Sequence, residues 1–416
     1  MINRREWLGL SLSAGAALAL NPRLVWAAQQ QLITRAIPST GERLPIVGLG
    51  SSATFAQAAS SEDVSAVRGV LGTMVERGGT VFDTAPSYGG SEEVAGRIAR
   101  EENLTDRIFW ATKVNVAPGG QSADPAVAQR QLQTSLQRIG KRPVDLIQVH
   151  NLSDIPTQLG LLKEMKQDGQ IRYIGATTSS PQQYDGLQRI MRAEPLDFIG
   201  IDYAVDNRDI EQDILPLAQD RGIGVMVYMP FGRTRLWNRI GDRELPDWAQ
   251  EFDADSWAQF MIKYVASHPA VTVVTPATSQ PRHMADNMGA AVGRLPDEAM
   301  RRRMAEYADA LPAAPGPVQV PQTPQATGVV LPAAILERYV GEYELESGTI
   351  VNVRRAGAGL TAQPTGMQEF ALATLSETRF SIPNGPILEF QLDGEGAVTG
   401  LIVEQAGQRM PAKRVR

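Results

Sequence analysis

The chain predicts a (β/α)8 TIM barrel followed by a small antiparallel all-β domain. Three observations carry this. Between residues 46 and 310 short apolar runs alternate with stretches whose apolar residues recur at helical spacing. Strands that alternate with helices favour a parallel sheet with right-handed crossovers, and eight such units in this length match a closed barrel in count and size. Beyond a proline-rich break the pattern changes to short alternating runs separated by turns. An open doubly wound sheet is the alternative. It would normally announce itself with Gly-x-Gly-x-x-Gly after its first strand, and Val47-Gly48-Leu49-Gly50-Ser51-Ser52 does not complete that pattern.

Leu32–Leu44 reads as a hairpin turning at Ser39-Thr40-Gly41, ahead of the first barrel strand. The eight candidate barrel strands are Ile46–Leu49, Thr80–Thr84, Ile108–Lys113, Val144–Val149, Ile171–Ala176, Phe198–Tyr203, Gly224–Tyr228 and Val271–Val274. Glu62–Glu76, Asp124–Ile139 and Asp209–Arg221 are expected helices among the connections. Leu311–Pro324 carries five prolines in fourteen residues and cannot continue a helix, so it reads as a semi-extended linker. The alternating runs that follow are Tyr339–Leu345, Ile350–Arg354, Phe370–Thr374, Arg379–Ile382, Ile387–Leu392 and Val398–Glu404. They predict a small barrel or curved meander. The expected organisation is a leader over 1–27, the barrel over 28–310, a linker over 311–330 and the β domain over 331–416.

Composition excludes several classes. With 416 residues, 43% hydrophobic and 21% charged, the chain is not disordered throughout. A mean hydropathy of −0.19 excludes a multi-span membrane protein. There are no cysteines, so disulfides, thiol nucleophiles, iron–sulfur ligation and Cys-based zinc sites are excluded. The three histidines, His150, His268 and His283, show no short metal-binding spacing, so no metal is expected. A formal charge of −6 gives no broadly basic surface for nucleic acid.

The first residues read as an address. Arg4-Arg5 precedes Trp7-Leu8, and an apolar run from Leu8 to Leu20 is too short to span a bilayer comfortably. Val25-Trp26-Ala27 suits cleavage after Ala27. This resembles a twin-arginine export signal, which implies passage through the twin-arginine translocase to the periplasm or another exported location. Cleavage would remove three arginines and one glutamate and leave the chain more acidic.

Four polar residues fall at or just past predicted strand ends: Asp83, Tyr88, Lys113 and His150. In a (β/α)8 barrel the C-terminal strand ends share one mouth, so these four converge despite their separation in sequence. A tyrosine holds its proton near pH 7, and an ammonium beside it stabilises the phenolate. A carboxylate keeps that lysine charged and aimed. An imidazole can orient a carbonyl oxygen. The set is a tuned general acid facing an oxygen on which negative charge develops. Carbonyl reduction needs a hydride as well. No side chain donates one, so a nicotinamide cofactor is implied.

On Asp83 followed five positions later by Tyr88, then Lys113 and His150, the chain resembles an aldo-keto reductase from about Leu32 to Leu311. The resemblance implies hydride transfer between nicotinamide and a small-molecule carbonyl or alcohol, with Tyr88 as general acid/base. It implies that Asn151 contacts the nicotinamide amide and that Thr177 and Thr178 stand where the family usually has Ser-Asn. Gly200 stands where the family usually has a carboxamide-holding glutamine. Tyr228 matches an aromatic that stacks on the nicotinamide. Pro230, Gly232 and Arg233 match the loop over the pyrophosphate. Thr278, Arg282, Asp286 and Asn287 match the region that grips the adenosine end. Ala277 and His283 align where a lysine and an arginine often clamp a 2′-phosphate. NADP(H) is the expected cofactor ahead of NAD(H). Trp237 and Trp248 are candidate walls of the substrate mouth.

Tyr339–Leu345 and Val398–Gln405 resemble a β domain appended to serine beta-lactamase-like hydrolases, a resemblance that transfers no reaction. Two other readings stand beside the enzymatic one: a nucleotide-binding sensor with little turnover, and a role set by the β domain as a partner-binding module. Replacing Arg4 and Arg5 together by lysine is expected to retain the protein inside the cell, as read by fractionation and blotting. Normal export of that variant contradicts the leader assignment.

Overall fold

A computed structural model describes residues 32–61, 63–117, 122–312, 331–345, 350–357, 359–364, 369–382, 386–394, 396–405 and 408–415. The leader and most of the proline-rich linker lie outside the described residues. The chain divides into two compact units, Met1–Ala314 and Pro315–Arg416.

The first unit opens with a hairpin of β1 (Thr34–Ala36) and β2 (Arg43–Pro45). The barrel follows as β3 (Leu49–Gly50), α1 (Thr54–Ala59), α2 (Ser65–Glu76), β4 (Val81–Asp83), α3 (Ser91–Glu101), β5 (Phe109–Val114), α4 (Pro125–Ile139), β6 (Val144–Val149) and α5 (Ile155–Gln167). It continues as β7 (Ile171–Thr178), α6 (Tyr184–Ala193), β8 (Phe198–Asp202), α7 (Ile214–Arg221), β9 (Gly224–Tyr228), α8 (Arg235–Ile240), α9 (Trp257–Ser267), β10 (Val271–Val274), α10 (Pro281–Gly289) and α11 (Glu298–Ala310). Strands β3 to β10 pair in parallel with their sequence neighbours. The seam between β3 and β10 is bridged at Val47–Val274 and Gly50–Ala277, where Gly48 N–H reaches the Val274 carbonyl at 2.9 Å.

Two expectations shift here. The first strand, expected over Ile46–Leu49, has its ladder only at Leu49–Gly50, because residues 46–48 lie on the seam and make single bridges. The helix expected over Asp209–Arg221 breaks into a short 3-10 turn, Asp209–Glu211, and α7. Pro216 is tolerated in the first turn of α7 but would sit in the interior of a longer helix, where it removes a hydrogen bond. By contrast α4 is bounded as its sequence reads: the Asp124 side chain accepts from the N–H groups of Ala126 and Val127, and Pro125 takes the first turn.

Successive side chains of a strand face opposite sides. One set, including Phe82, Trp110, Ile147, Ile174 and Ile199, packs outward under the helices. The alternate set fills the barrel: Val81, Phe109, Leu146, Tyr173, Phe198 and Met226 form one buried layer, joined by Ile37 and Leu44 of the hairpin segment. The hairpin is tied there by Tyr173, whose hydroxyl donates to Glu42 at 2.6 Å.

The second unit begins with α12 (Ala333–Arg338), which the alternating pattern does not foresee. Eight antiparallel strands then close into a barrel: β11 (Gly341–Leu345), β12 (Ile350–Ala356), β13 (Gly359–Pro364), β14 (Phe370–Thr374), β15 (Arg379–Ser381), β16 (Ile387–Leu392), β17 (Val398–Gln405) and β18 (Gln408–Arg414). Each pairs with the next, and β18 returns to β11. Closure leaves no free edge. Tyr339, expected in a strand, ends α12 instead and stacks on Phe390 at 4.3 Å in a core shared with Leu336 and Tyr343. Strands β13 and β18 were not expected. The first is short of large apolar residues and the second carries a proline, which argues against a central strand. Among the described residues the β11–β18 ladder runs from Tyr343–Arg414 to Leu345–Ala412, and Pro411 lies beyond it.

In the first unit α3 and α4 approach closely at Gly96. An added Cβ there would lie 2.0 Å from the Arg138 carbonyl oxygen. Gly96→Ala is expected to cost about 1–3 kcal/mol by overpacking, read as a lower urea midpoint with an unchanged slope.

Candidate active site

The site is built by strand alternation. Two residues beyond the last inward apolar residue of each (Val81, Ala111, Leu146, Tyr173, Phe198 and Met226), six of the eight strands put one more residue into the barrel: Asp83 on β4, Lys113 on β5, Gln148 on β6, Gly175 on β7, Gly200 on β8 and Tyr228 on β9. The apolar floor is therefore followed by a polar layer at the C-terminal mouth, where barrels of this kind place their sites.

Lys113 is at its centre. Its ammonium donates to both Asp83 carboxylate oxygens at 2.8 Å and to the Thr84 carbonyl at 2.8 Å. Lysine and aspartate are only 1% and 3% exposed. Burial is the largest influence and would push the lysine toward its neutral form, but the charges and hydrogen bonds of Asp83 and Tyr88 together outweigh it and hold the ammonium above its ordinary pKa. Burial pulls Asp83 the other way, upward, against Lys113 and a hydrogen bond from Tyr228. Two contacts of 2.8 Å with all three ammonium hydrogens engaged fit the ionised pair.

Tyr88 lies in the turn after β4, its N–H bonded to the Ala85 carbonyl at 3.0 Å. The Lys113 nitrogen is 5.0 Å from its ring centroid. Burial raises the phenol's pKa, and Lys113 is the largest opposing influence, with Arg233 a smaller one. His150 directly follows β6, opening the 3-10 turn His150–Leu152, and meets the Tyr88 ring edge-on at 5.9 Å. Burial, and next the Lys113 charge, push its imidazole down to about 3. It is neutral at working pH and offers one donor and one acceptor. All four residues expected to converge do so. The arrangement can hand a proton to an oxygen beside Tyr88 while keeping a fixed cation next to the phenolate left behind.

Placement of the expected nucleotide-contacting residues is more varied. The Asn151 N–H donates to the Thr177 hydroxyl at 3.2 Å, with Asn151 in a left-handed conformation and its side chain exposed. The Thr178 hydroxyl is already committed: it donates to Gln183 at 2.5 Å and accepts from Ser180 N–H at 3.1 Å. Pro230 is buried, while Gly232 and Arg233 follow in left-handed conformations with Arg233 exposed. The buried Thr278 hydroxyl accepts from Gln280 N–H at 3.1 Å. Arg282 is exposed and Asn287 buried. The Asp286 carboxylate is occupied by Ser256 at 2.9 and 2.8 Å and by Gln259 at 2.8 Å. Trp248 packs against Phe260 at 5.5 Å and Tyr307 at 5.7 Å, as a loop anchor, whereas Trp237 is 38% exposed beside Phe231.

Gln148 was missed at the sequence level. Its amide donates to the Tyr228 hydroxyl at 3.0 Å, and that hydroxyl donates to Asp83 at 3.3 Å. The signal was available: Gln148 is two residues before His150 and two after the inward-facing Leu146 on β6.

A nicotinamide nucleotide brings many hydrogen-bonding groups, so the mouth should hold polar atoms left for it. Among the described residues Ser51 Oγ, Thr84 Oγ1 and Asn115 Oδ1 are buried without a hydrogen-bond partner. They follow β3, β4 and β5 at the mouth, and native proteins rarely leave such atoms orphaned. With exposed Arg233, whose charge reaches Tyr88, they fit a polar anionic ligand.

A profile of the aldo/keto reductase family matches residues 46–305. The chain belongs to that family. It is 26% identical over 275 residues to the aldo-keto reductase str7 of Strobilurus tenacellus, covering 58% of this chain and 81% of that protein. An aldo/keto reductase from Klebsiella pneumoniae, solved in complex with NADP and acetate, is 25% identical, covers 64% of this chain and 93% of its own, and superposes with a TM-score of 0.52. The holo form of aldo-keto reductase AKR11C1 from Bacillus halodurans is 22% identical with a TM-score of 0.54, over 67% of this chain and 96% of its own.

The histidine makes a pH prediction. Its folded pKa, about 3, is below the ordinary 6.5. Between those values the unfolded chain binds more protons, so the contribution of His150 to stability is complete above pH 6.5 and declines as pH falls toward 3. Imidazole NMR is expected to show His150 still neutral at pH 5, and His150→Gln to flatten that part of the stability profile. A midpoint near 6.5 contradicts the buried neutral assignment.

Proposed function

We propose that the barrel is an NAD(P)-dependent oxidoreductase acting on a small-molecule carbonyl or alcohol, with Tyr88 as its general acid/base. The observation that carries this is the Lys113 ammonium, buried between the Asp83 carboxylate and the Tyr88 ring. A reduced nicotinamide, when bound, supplies the hydride that a carbonyl carbon accepts. As the carbonyl oxygen gains negative charge, the Tyr88 O–H gives it a proton and the product is an alcohol. Lys113 stabilises the phenolate that remains, and Asp83 holds Lys113 charged and in place. Neutral His150 aims the oxygen at Tyr88 through a hydrogen bond. In the reverse direction Tyr88 takes the hydroxyl proton.

Asn151, Thr177, Tyr228, Pro230, Gly232 and Arg233 would hold the nicotinamide and pyrophosphate half. Thr278, Arg282 and Asn287 would meet the adenosine half, with Asp286 shaping that wall through Ser256 and Gln259. NADP(H) ahead of NAD(H) rests on Arg282 and on the relative solved with NADP. Export through the twin-arginine leader completes the proposal. Tyr88→Phe is expected to lower turnover by about 10² or more while cofactor affinity stays within a few-fold, by steady-state kinetics and fluorescence titration. Parent-like turnover removes Tyr88 from the mechanism.

A further inference from the structure

We infer that Tyr228 is a positioning residue of this site: its phenol, seated over Gly200, pins the Asp83 carboxylate and so sets the electrostatics felt by Tyr88. This deepens the oxidoreductase reading and rests on it for its catalytic consequence.

The geometry begins with two glycines on neighbouring strands. Gly175 on β7 and Gly200 on β8 both stand in the polar layer, where the other strands bring side chains. An added Cβ at Gly200 would lie 2.4 Å from the Tyr228 hydroxyl and 2.5 Å from its ring. At Gly175 it would lie 3.1 Å from the Gln148 side chain and 2.5 Å from the Phe198 carbonyl oxygen. The space these glycines leave is therefore filled from the strands beside them, by the phenol of Tyr228 at Gly200 and by the Phe198 carbonyl and the Gln148 Cγ at Gly175. Gln148 and Tyr228 meet at 3.0 Å, amide to hydroxyl.

Polarity along this chain runs one way. The Gln148 amide donates to the phenol oxygen, and the phenol's only hydrogen points to Asp83 Oδ1 at 3.3 Å. Asp83 thus receives Tyr228 in addition to Lys113. The Lys113 nitrogen lies 5.0 Å from the Tyr88 ring centroid and 5.1 Å from that of Tyr228, between the two phenols. They differ in task. Tyr88 stands in the mouth loop with its hydroxyl hydrogen-bonded to Lys113, whereas Tyr228 spends its proton on a carboxylate. Its donor hydrogen offsets part of the Asp83 charge, which otherwise opposes ionisation of Tyr88.

The test is Tyr228→Phe in the full chain, which keeps the ring and removes the hydroxyl. Tyrosine labelled with carbon-13 at the hydroxyl-bearing carbon reports ionisation of Tyr88 by NMR, with no cofactor or turnover needed. The Tyr88 midpoint is expected to rise by about half a unit or more, the scale of one lost hydrogen bond. With turnover measured alongside, kcat is expected to fall about threefold to tenfold and the pH–rate profile to move in the same direction. Gly200→Ala, which evicts the phenol sterically, should reproduce the shift, and combining both changes should add nothing. Gln148→Leu gives a smaller shift of the same sign and carries the test if circular dichroism shows Tyr228→Phe to be unfolded. An unchanged Tyr88 midpoint in whichever folded variant is measured overturns the inference. A parent that turns over no carbonyl, yet shows the shift, supports this inference and defeats the proposed function instead.

Discussion

The site depends on one buried ion pair. Taking an ammonium and a carboxylate out of water costs several kcal/mol each, and their attraction repays it only when geometry is good and the remaining donors are satisfied. Lys113 meets that condition, with three acceptors at 2.8 Å. Removing either partner would strand the other charge in a dry interior, a loss of about 3–5 kcal/mol. Chemistry and stability are therefore joined at this point. A cation fixed beside a phenol is useful for proton transfer because it does not have to reorganise when charge appears.

The fold supplies this pair through layering. The apolar layer of Val81, Phe109, Leu146, Tyr173, Phe198 and Met226 keeps water from the underside, with Ile37 and Leu44 packed into the same cluster. The next inward positions are polar or glycine. A layer with a large side chain from every strand would overfill the barrel, so Gly175 and Gly200 make room for Gln148 and Tyr228. The neutral state of His150 follows from the same arrangement, since burial and a nearby cation both disfavour a second positive charge.

The second unit solves a different problem. Closure removes the exposed edges that its antiparallel strands would otherwise present. Its core holds an aromatic cluster among aliphatic residues: Tyr339, Tyr343, Phe380 and Phe390 make ring contacts at 4.3 to 5.6 Å. Periodicity exposed six of its strands. It missed β18 because a proline and basic residues disguise a strand whose partners are distant in sequence. It missed α12 because six residues are too few to establish a helical period.

Much of the first unit was legible because its signals are local. Apolar runs, the Asp124-Pro125 helix start and the strand-end polar residues all lie within a few positions of what they specify. Convergence of Asp83, Tyr88, Lys113 and His150 needed only the additional rule that parallel barrel strands share one mouth. What sequence could not decide is which polar side chains are already spent on one another. Asp286 was read as a ligand for adenosine, and Thr178 as a nicotinamide contact. Each has intramolecular partners that the sequence does not reveal: Ser256 and Gln259 for the first, Gln183 and Ser180 for the second. Gly200 was read as a missing glutamine, and only packing shows it to be the seat of a phenol from the next strand. The chain by itself determined the alternation that builds the barrel and the residue types at its mouth, because both are written at short range. The hydrogen-bond partners of those residues were decided by tertiary structure, because each lies on another strand or helix and is selected by distance in space.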